Sequence, residues 1–275
     1  AELTPLDSDL LSSDLVYEKQ TTIASGVYAF LNTMSPLLTS VETRRAIQMG
    51  INMGSIRAVL DGEEPLDYPI LRSEIELTSY PELPAYDLEG AKALLAQTGV
   101  TGQTLRLMTI SSGYLPEIAN EMEAQLEALG FNVELSVYNP GQEFLMNIIR
   151  PRNYDILIYE VELGADPDLF AYYHSSQAST SGWNLSNYRN TLVDDLILGA
   201  RSTLEENLRV AKYEAFLRHW VNDVPALGIY QASLTYFFNK DVRTFSEDDR
   251  LVYPVDRFVD VEYWAVNKTQ KNRTP

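Results

Sequence analysis

The strongest constraint on the fold is an alternation of strand and helix signals between Leu105 and Val161. Leu105–Ile110 reads as a strand. Pro116–Leu129 places Ile118, Met122, Leu126 and Leu129 on one helical face and stops at Gly130. Phe131–Val137 alternates Phe, Val, Leu and Val with Asn, Glu and Ser, the cleanest strand pattern in the chain. Pro140–Ile149 is predicted as a helix and Tyr154–Val161 as a nearly continuous apolar strand. Strands separated by helices pair in parallel through right-handed crossovers, so this order predicts an α/β lobe. Its sheet should be mainly parallel and flanked by helices.

The flanking sequence adds further elements. Asp7–Gln20 is expected as a short helix with Leu10, Leu11 and Leu15 inward, and Thr21–Thr33 as a strand. Glu42–Leu60 carries Ala46, Met49, Met53, Ile56 and Leu60 at three- and four-residue steps, with Gly50 and Gly54 breaking it into two helices. Asp61–Pro84 holds four prolines and little periodicity, which predicts an extended surface excursion. Asp87 is a good N-cap for a helix over Leu88–Thr98, closed by Gly99. Two more helices are expected. One packs through Leu192, Val193, Leu196 and Ile197, the other through Leu204, Leu208, Ala211 and Ala215. Pro225–Tyr230 and Leu234–Asn239 then read as two strands, and Arg257–Val266 as a last one in a loop-like tail.

Composition excludes several functions. Lys and Arg total 21 against 39 Asp and Glu, a net charge of −18 that opposes binding to nucleic acid or anionic lipid. With no cysteine there is no disulfide framework, thiolate nucleophile or cysteine-based zinc site. Ala1–Asp14 is acidic and lacks the basic start and apolar run of a secretion leader. His174 and His219 lie too far apart for a His-x-x-x-His metal pair, and no Gly-x-Ser-x-Gly elbow or phosphate-binding loop occurs. Asp166-Pro167-Asp168 lacks the ligand spacing of a calcium loop and reads as a turn capping the next helix. The expectation is a protein with no catalytic residues, metal or cofactor.

What remains is position. Ligands of open α/β sheets sit beyond the carboxyl ends of the strands. Those ends are Ser111–Tyr114, Tyr138–Gly141 and Glu160–Leu163, which makes Tyr114, Glu160 and Glu162 candidate contacts, with Trp183 walling the same edge. The plainer alternatives are a loop tyrosine, a solvated strand edge and a core tryptophan.

Several short signatures, in order, resemble the peptide-type (family 5) extracytoplasmic solute-binding proteins of ABC importers. Tyr28–Asn32 is similar to their strand ending in an "fN" pair, and Val41–Ile51 to their "vRrAi" helix. Tyr86-Asp87, Ala91-Lys92 and Leu94-Leu95 are similar to a "yD...Ak.LL...G" helix ending at Gly99. Ala119–Val133, Tyr154-Asp155, the run Asn184, Tyr188, Asp194 and Ala200-Arg201, and the run Pro225, Ala226 and Tyr230 follow in register. The resemblance implies a periplasmic-binding-protein-like lobe, with hinge strands and a return segment. On that basis residues 1–33 form a lead-in helix and hinge strand, 34–235 the solute-binding lobe, and 236–275 a segment belonging to the other lobe. It adds Asn32 and Asn184 to the ligand-binding candidates. It further implies a monomer that captures a peptide or other small solute outside the cytoplasmic membrane, tethered there as a lipoprotein, and delivers it to ABC permease subunits.

Two departures qualify the resemblance. Family members are longer, so the chain looks like a C-terminal portion. The aspartate that pairs with a peptide's amino group corresponds to about Leu163, and an apolar side chain cannot pair with an ammonium ion. Glu160 or Glu162 substitutes, or the solute lacks a free amino terminus. An interaction or regulatory domain that keeps the fold without transport is the competing reading, and a carboxylate-based hydrolase a third.

Overall fold

The computed structural model describes residues 16–60, 62–71, 74–244 and 250–266. Two compact units emerge, Ser25–Gln231 and the pair of segments Ala1–Ala24 and Ala232–Pro275. In chain order the strands are β1 (Val16–Leu31), β2 (Glu64–Pro65), β3 (Thr104–Ile110), β4 (Asn132–Tyr138), β5 (Ile156–Glu162), β6 (Ala226–Asn239), β7 (Val242–Arg243), β8 (Arg250–Leu251) and β9 (Ala265–Val266). The main helices are α1 (Val41–Gly50), α2 (Met53–Arg57), α3 (Leu88–Thr98), α4 (Leu115–Leu129), α5 (Gln142–Phe144), α6 (Phe170–Tyr173), α7 (Thr191–Ser202) and α8 (Glu206–Asp223). β1 and β6 are long strands that begin in one unit and end in the other.

The larger unit is an α/β lobe on a central sheet of order β2-β6-β1-β5-β3-β4. β3 pairs in parallel with β4 and β5, joined through helices as the alternation requires. β1 runs antiparallel to β5, and β2 antiparallel to β6, so the mainly parallel expectation holds for β4-β3-β5 and is corrected beyond it. No crossover helix links β1 to β5 directly, which leaves their relative direction free. Val27–Leu31, Ile156–Ile158 and the inner face of α4 (Ile118, Ala119, Met122, Leu126) are wholly buried and form the core.

Local signals act as their chemistry dictates. Asp87 accepts from the Gly90 N–H and caps α3, and Gly99 ends it in the left-handed region at φ 76°. The break between α1 and α2 falls at Ile51-Asn52 rather than Gly54, because the Asn52 side chain caps the second helix. The segment expected as a helix over Pro140–Ile149 starts at Gln142 as α5 and continues as a π-turn over Leu145–Ile149.

Five expectations are corrected. Val16–Gln20 belongs to β1, not to a helix, while Leu10, Leu11 and Leu15 lie outside the described residues. Two strands expected between Pro225 and Asn239 are the single β6, with no turn residue to interrupt them. Arg257–Tyr263 is largely 3₁₀ helix (Pro254–Phe258, Val261–Tyr263), and only Ala265–Val266 pairs as a strand, with β7. In α8 the buried stripe is Val210, Tyr213, Phe216, Leu217 and Trp220, whereas Leu204 and Leu208 face solvent and Ala211 is exposed. Leu192 of α7 is likewise exposed at 60%, while Val193, Ile197 and Ala200 are buried. Both helices carry two apolar registers, and in α8 the one with the larger aromatic area takes the core.

The excursion between α2 and α3 is pinned at several points. Arg57 reaches Asp67 at 2.7 Å and donates to the carbonyls of Leu66 and Ile229. A side chain at Gly228 would stand 2.4 Å from the Leu66 carbonyl, so only glycine lets β6 approach so closely. Farther along, Glu214 of α8 accepts from the N–H groups of Thr78 and Ser79. Glu74 is the exception. Its carboxylate oxygens are buried and lack a well-formed hydrogen bond. Burial first, and the charge of Asp166 second, push its carboxyl up to about 7, with a partial offset from the Leu71 backbone.

At the amino end of β5, Asp155 is 4% exposed and accepts from Ser35 Oγ at 2.6 Å, from the Arg106 N–H at 2.8 Å and from Arg106 Nη2 at 3.1 Å. An Asp155→Ala variant leaves these donors unsatisfied, and urea denaturation should register a loss of about 3 kcal/mol. Glu74 has the opposite sign. Its folded value lies above the ordinary 4.5, so its stabilising contribution is full below about 4.5 and disappears as pH rises through about 7. Between pH 8 and pH 5 the wild type should gain on the order of 1–2 kcal/mol relative to Glu74→Gln, as read from paired melts across pH.

Candidate functional site

Within the larger unit the carboxyl ends of β3, β4 and β5 fall at Ile110, Tyr138 and Glu162. β1 pairs Ser25 with Glu162 and Val27 with Glu160, so these four side chains share one face of the sheet. Ser25 donates through Oγ to Glu160 Oε1 at 2.6 Å, with a second contact of 3.1 Å to the Val161 carbonyl. Ser25 is buried, whereas Glu160 and Glu162 are exposed.

Tyr114 stands at the entrance of α4 and meets Tyr230 edge to face, with ring centroids 6.4 Å apart at 86°. Tyr230 lies opposite Pro65 of β2, in the strand next to β1. Its phenol is held above the ordinary value first by burial, then by the negative charges of Glu160 and Glu63, with Tyr114 adding to them. Tyr114 touches Tyr230 directly, and the charge of Glu160, which Ser25 holds, acts on its phenol. Together they make a rim of two tyrosines, a serine and a carboxylate, which can hydrogen-bond and offer ring surface to a cation. Among the described residues no three His, Asp or Glu side chains cluster as a metal site would need.

The sequence candidates divide. Tyr114 packs on Tyr230, and Glu160 accepts from Ser25. Glu162 sits one strand step along the same face, and its carbonyl accepts from the Tyr172 hydroxyl. Trp183 is 43% exposed, and no hydrogen bond or ring contact among the described residues ties it to Glu160, Tyr114 or Tyr230.

Asn32 and Asn184, expected with the others, lie elsewhere. Asn32 follows Leu31, which pairs with Ile156 at the opposite end of β5 from Glu162. Its amide donates to the Arg152 and Tyr154 carbonyls and accepts from the Met34 N–H and Asn187. Asn184 is fully buried, donating to the His174 and Tyr188 carbonyls and accepting from the Tyr188 N–H. Arg152 ties the same region together through the carbonyls of Ile149, Ser179, Gly182 and Asn184. These asparagines satisfy buried backbone groups.

Ser25 and Tyr230 are the rim members that sequence reading did not single out. Leu163, just past β5, is 9% exposed and adds apolar surface only. Two cavities of the unit share no lining residue with the rim. One of about 240 Å³ touches Asn52, Asp67, Tyr86 and Trp220, and a second of about 540 Å³ adjoins it at Gln48, Leu83 and Pro84. No helix among the described residues is long and apolar enough to cross a membrane.

Comparison with known proteins agrees with this architecture. The family model for bacterial extracellular solute-binding proteins, family 5 (middle), matches residues 1–183. The Di/tripeptide-binding protein 2 of Pseudomonas aeruginosa is 28% identical over 245 residues, which covers 82% of this chain and 44% of that protein. The chain thus spans less than half the length of this relative. The ABC transporter substrate binding protein CtaP from Listeria monocytogenes has the same fold, with a TM-score of 0.84 at 21% identity, over 97% of this chain and 55% of that one. DppA from Helicobacter pylori, solved with the peptide STSA, superposes with a TM-score of 0.80 at 22% identity, over 95% of this chain and 51% of its own. A family model that matches two-thirds of the sequence, on a lobe with this sheet, shows that the chain belongs to the family 5 bacterial extracellular solute-binding proteins.

Proposed function

We propose that this chain supplies the solute-facing lobe of an ABC importer's binding component, working outside the cytoplasmic membrane. In this reading residues 34–235 carry the solute, and the ends of β1 and β6 with residues 236–275 return the chain toward a companion lobe. The solute is a peptide or a related small molecule. The partner is the membrane permease, the working form is a monomer, and the full-length protein is tethered at the membrane. The lobe binds without chemical turnover. One observation carries the proposal: on a member of this family, Tyr114, Tyr230, Glu160 and Ser25 converge at the strand ends of the sheet. The name of the Pseudomonas relative, a di/tripeptide-binding protein, supports the choice of solute.

The competing reading, an interaction domain that retains the fold, draws on the buried apolar Leu163 where peptide-binding members carry a carboxylate. Ligand-induced stabilisation separates the two. Purified full-length protein should melt higher with a di- or tripeptide, by about 2.7 kcal/mol at a hundredfold excess over Kd. A Tyr114→Ala variant should bind that peptide about tenfold more weakly, since one aromatic contact surface is lost. If no peptide shifts the melting temperature, the interaction reading stands in place of transport.

A further inference from the structure

The excursion between α2 and α3 ends in a strap pinned at both ends. Tyr68 donates through its hydroxyl to the Pro81 carbonyl at 2.6 Å, and the Asp87 N–H donates to the Met49 carbonyl of α1 at 2.9 Å. Between these ties run residues 82–86. Pro84 has a fixed φ and holds Leu83 extended, which resists coiling of the strap onto α1. Leu83, Pro84 and Tyr86 wall the cavity of about 240 Å³. A dry apolar cavity of ~150 Å³ elsewhere admits benzene, so this one has room for a substituted ring.

Opposite the strap, Trp220 and Leu227 are buried and present fixed apolar surface. Two side-chain amides four residues apart, Gln48 and Asn52, line the same cavity. Gln125 holds Asn52 in place, accepting from its N–H at 2.6 Å and donating to its carbonyl at 3.4 Å. Asn52 Oδ1 accepts from the Ser55 N–H, which leaves Nδ2 a donor with no partner among the described residues. The Gln48 amide has no partner there either, and it is not sealed from solvent. Charge is matched: Asp67, at the cavity wall, is paired with Arg57 at 2.7 Å. The adjoining cavity of about 540 Å³ adds Arg45 and Glu82, one charge of each sign.

These walls select a ligand class. A charged group entering here loses hydration without gaining an unmatched opposite charge. A hydrocarbon displaces water from Gln48 and Asn52 and leaves both without partners. An uncharged ring bearing a carboxamide meets every wall. Its carbonyl accepts from Asn52 Nδ2 or Gln48 Nε2, its N–H donates to Gln48 Oε1, and its ring lies on the apolar surface. We infer that the cavity between α1, Trp220 and the strap is a second binding site of this lobe, taking a small, uncharged aromatic carboxamide. The site shares no residue with the strand-end rim and stands apart from the transport reading. A molecule held there bridges the strap to α1 and the end of α8.

The test is a saturation-transfer NMR titration of the full-length protein with benzamide and with benzoate, its charged counterpart of the same shape. Benzamide should bind saturably, and benzoate at least about threefold more weakly. Gln48→Met keeps the length of the side chain and removes the amide. It should weaken benzamide about fivefold, inside the roughly two- to tenfold that one net hydrogen bond contributes. Tyr86→Ala removes a wall at a residue that is 51% exposed, and should weaken benzamide by about twofold or more. Thermal midpoints of the unliganded variants, compared with wild type, show that the fold is retained, and if Gln48→Met does not fold, Tyr86→Ala decides. The inference is overturned by an absence of saturable benzamide binding, or by benzoate binding within about threefold of benzamide. A change of less than about twofold in the deciding variant overturns it as well, since benzamide is then held elsewhere.

Discussion

The lobe depends on one buried carboxylate. Asp155 sits where β5 begins and gathers Ser35, which follows β1, and both the backbone and guanidinium of Arg106 on β3. Its own backbone joins the same strands: its carbonyl accepts from the Asn32 N–H, and its N–H donates to the Arg106 carbonyl. Three strands are therefore fixed in register at one end of the sheet. Register matters because the side-chain period of a strand is two residues, and a slip of one turns every side chain to the other face. Glu160 and Glu162 reach the rim only because Asp155, five residues before the first of them, is held in place.

Much of this was legible in the chain because local chemistry decides it. Asp87 and Gly99 bracket α3, Gly130 ends α4, and the alternation over Phe131–Val137 yields β4, all within stretches short enough for neighbouring residues to settle the outcome. The failures arise where local signals tie. Around α8 the series Leu204, Leu208, Ala211, Ala215 and the series Val210, Tyr213, Leu217, Trp220 both have helical spacing, but Leu204 precedes the helix and packing buries the second. β1 was misread at its start because leucines at three- and four-residue steps ahead of it suggest a helix, yet Val16–Gln20 are paired as strand.

The site follows the same rule. Tyr114, Glu160 and Glu162 were accessible to reasoning because strand ends are where side chains converge, a property of topology. Tyr230 was not, since its neighbours Tyr114, Glu160 and Glu63 lie from about 70 to 170 residues away in sequence, and only the sheet order β2-β6-β1-β5 brings them together. For Asn32 and Asn184 sequence alone does not separate the two uses, because an asparagine in a turn serves backbone and ligand with the same atoms. Both are buried, with carbonyls aligned on each amide.

Ser25 gives the rim a kinetic character. A glutamate on a strand edge normally samples several rotamers, and a ligand must arrest them on arrival, at about 0.5–1.5 kcal/mol for such a side chain. Here the serine hydroxyl has restricted Glu160 before any encounter, so the entropy loss belongs to folding rather than to capture. In the binding role proposed above, preorganisation of this kind lengthens the residence time of a bound solute more than it speeds arrival.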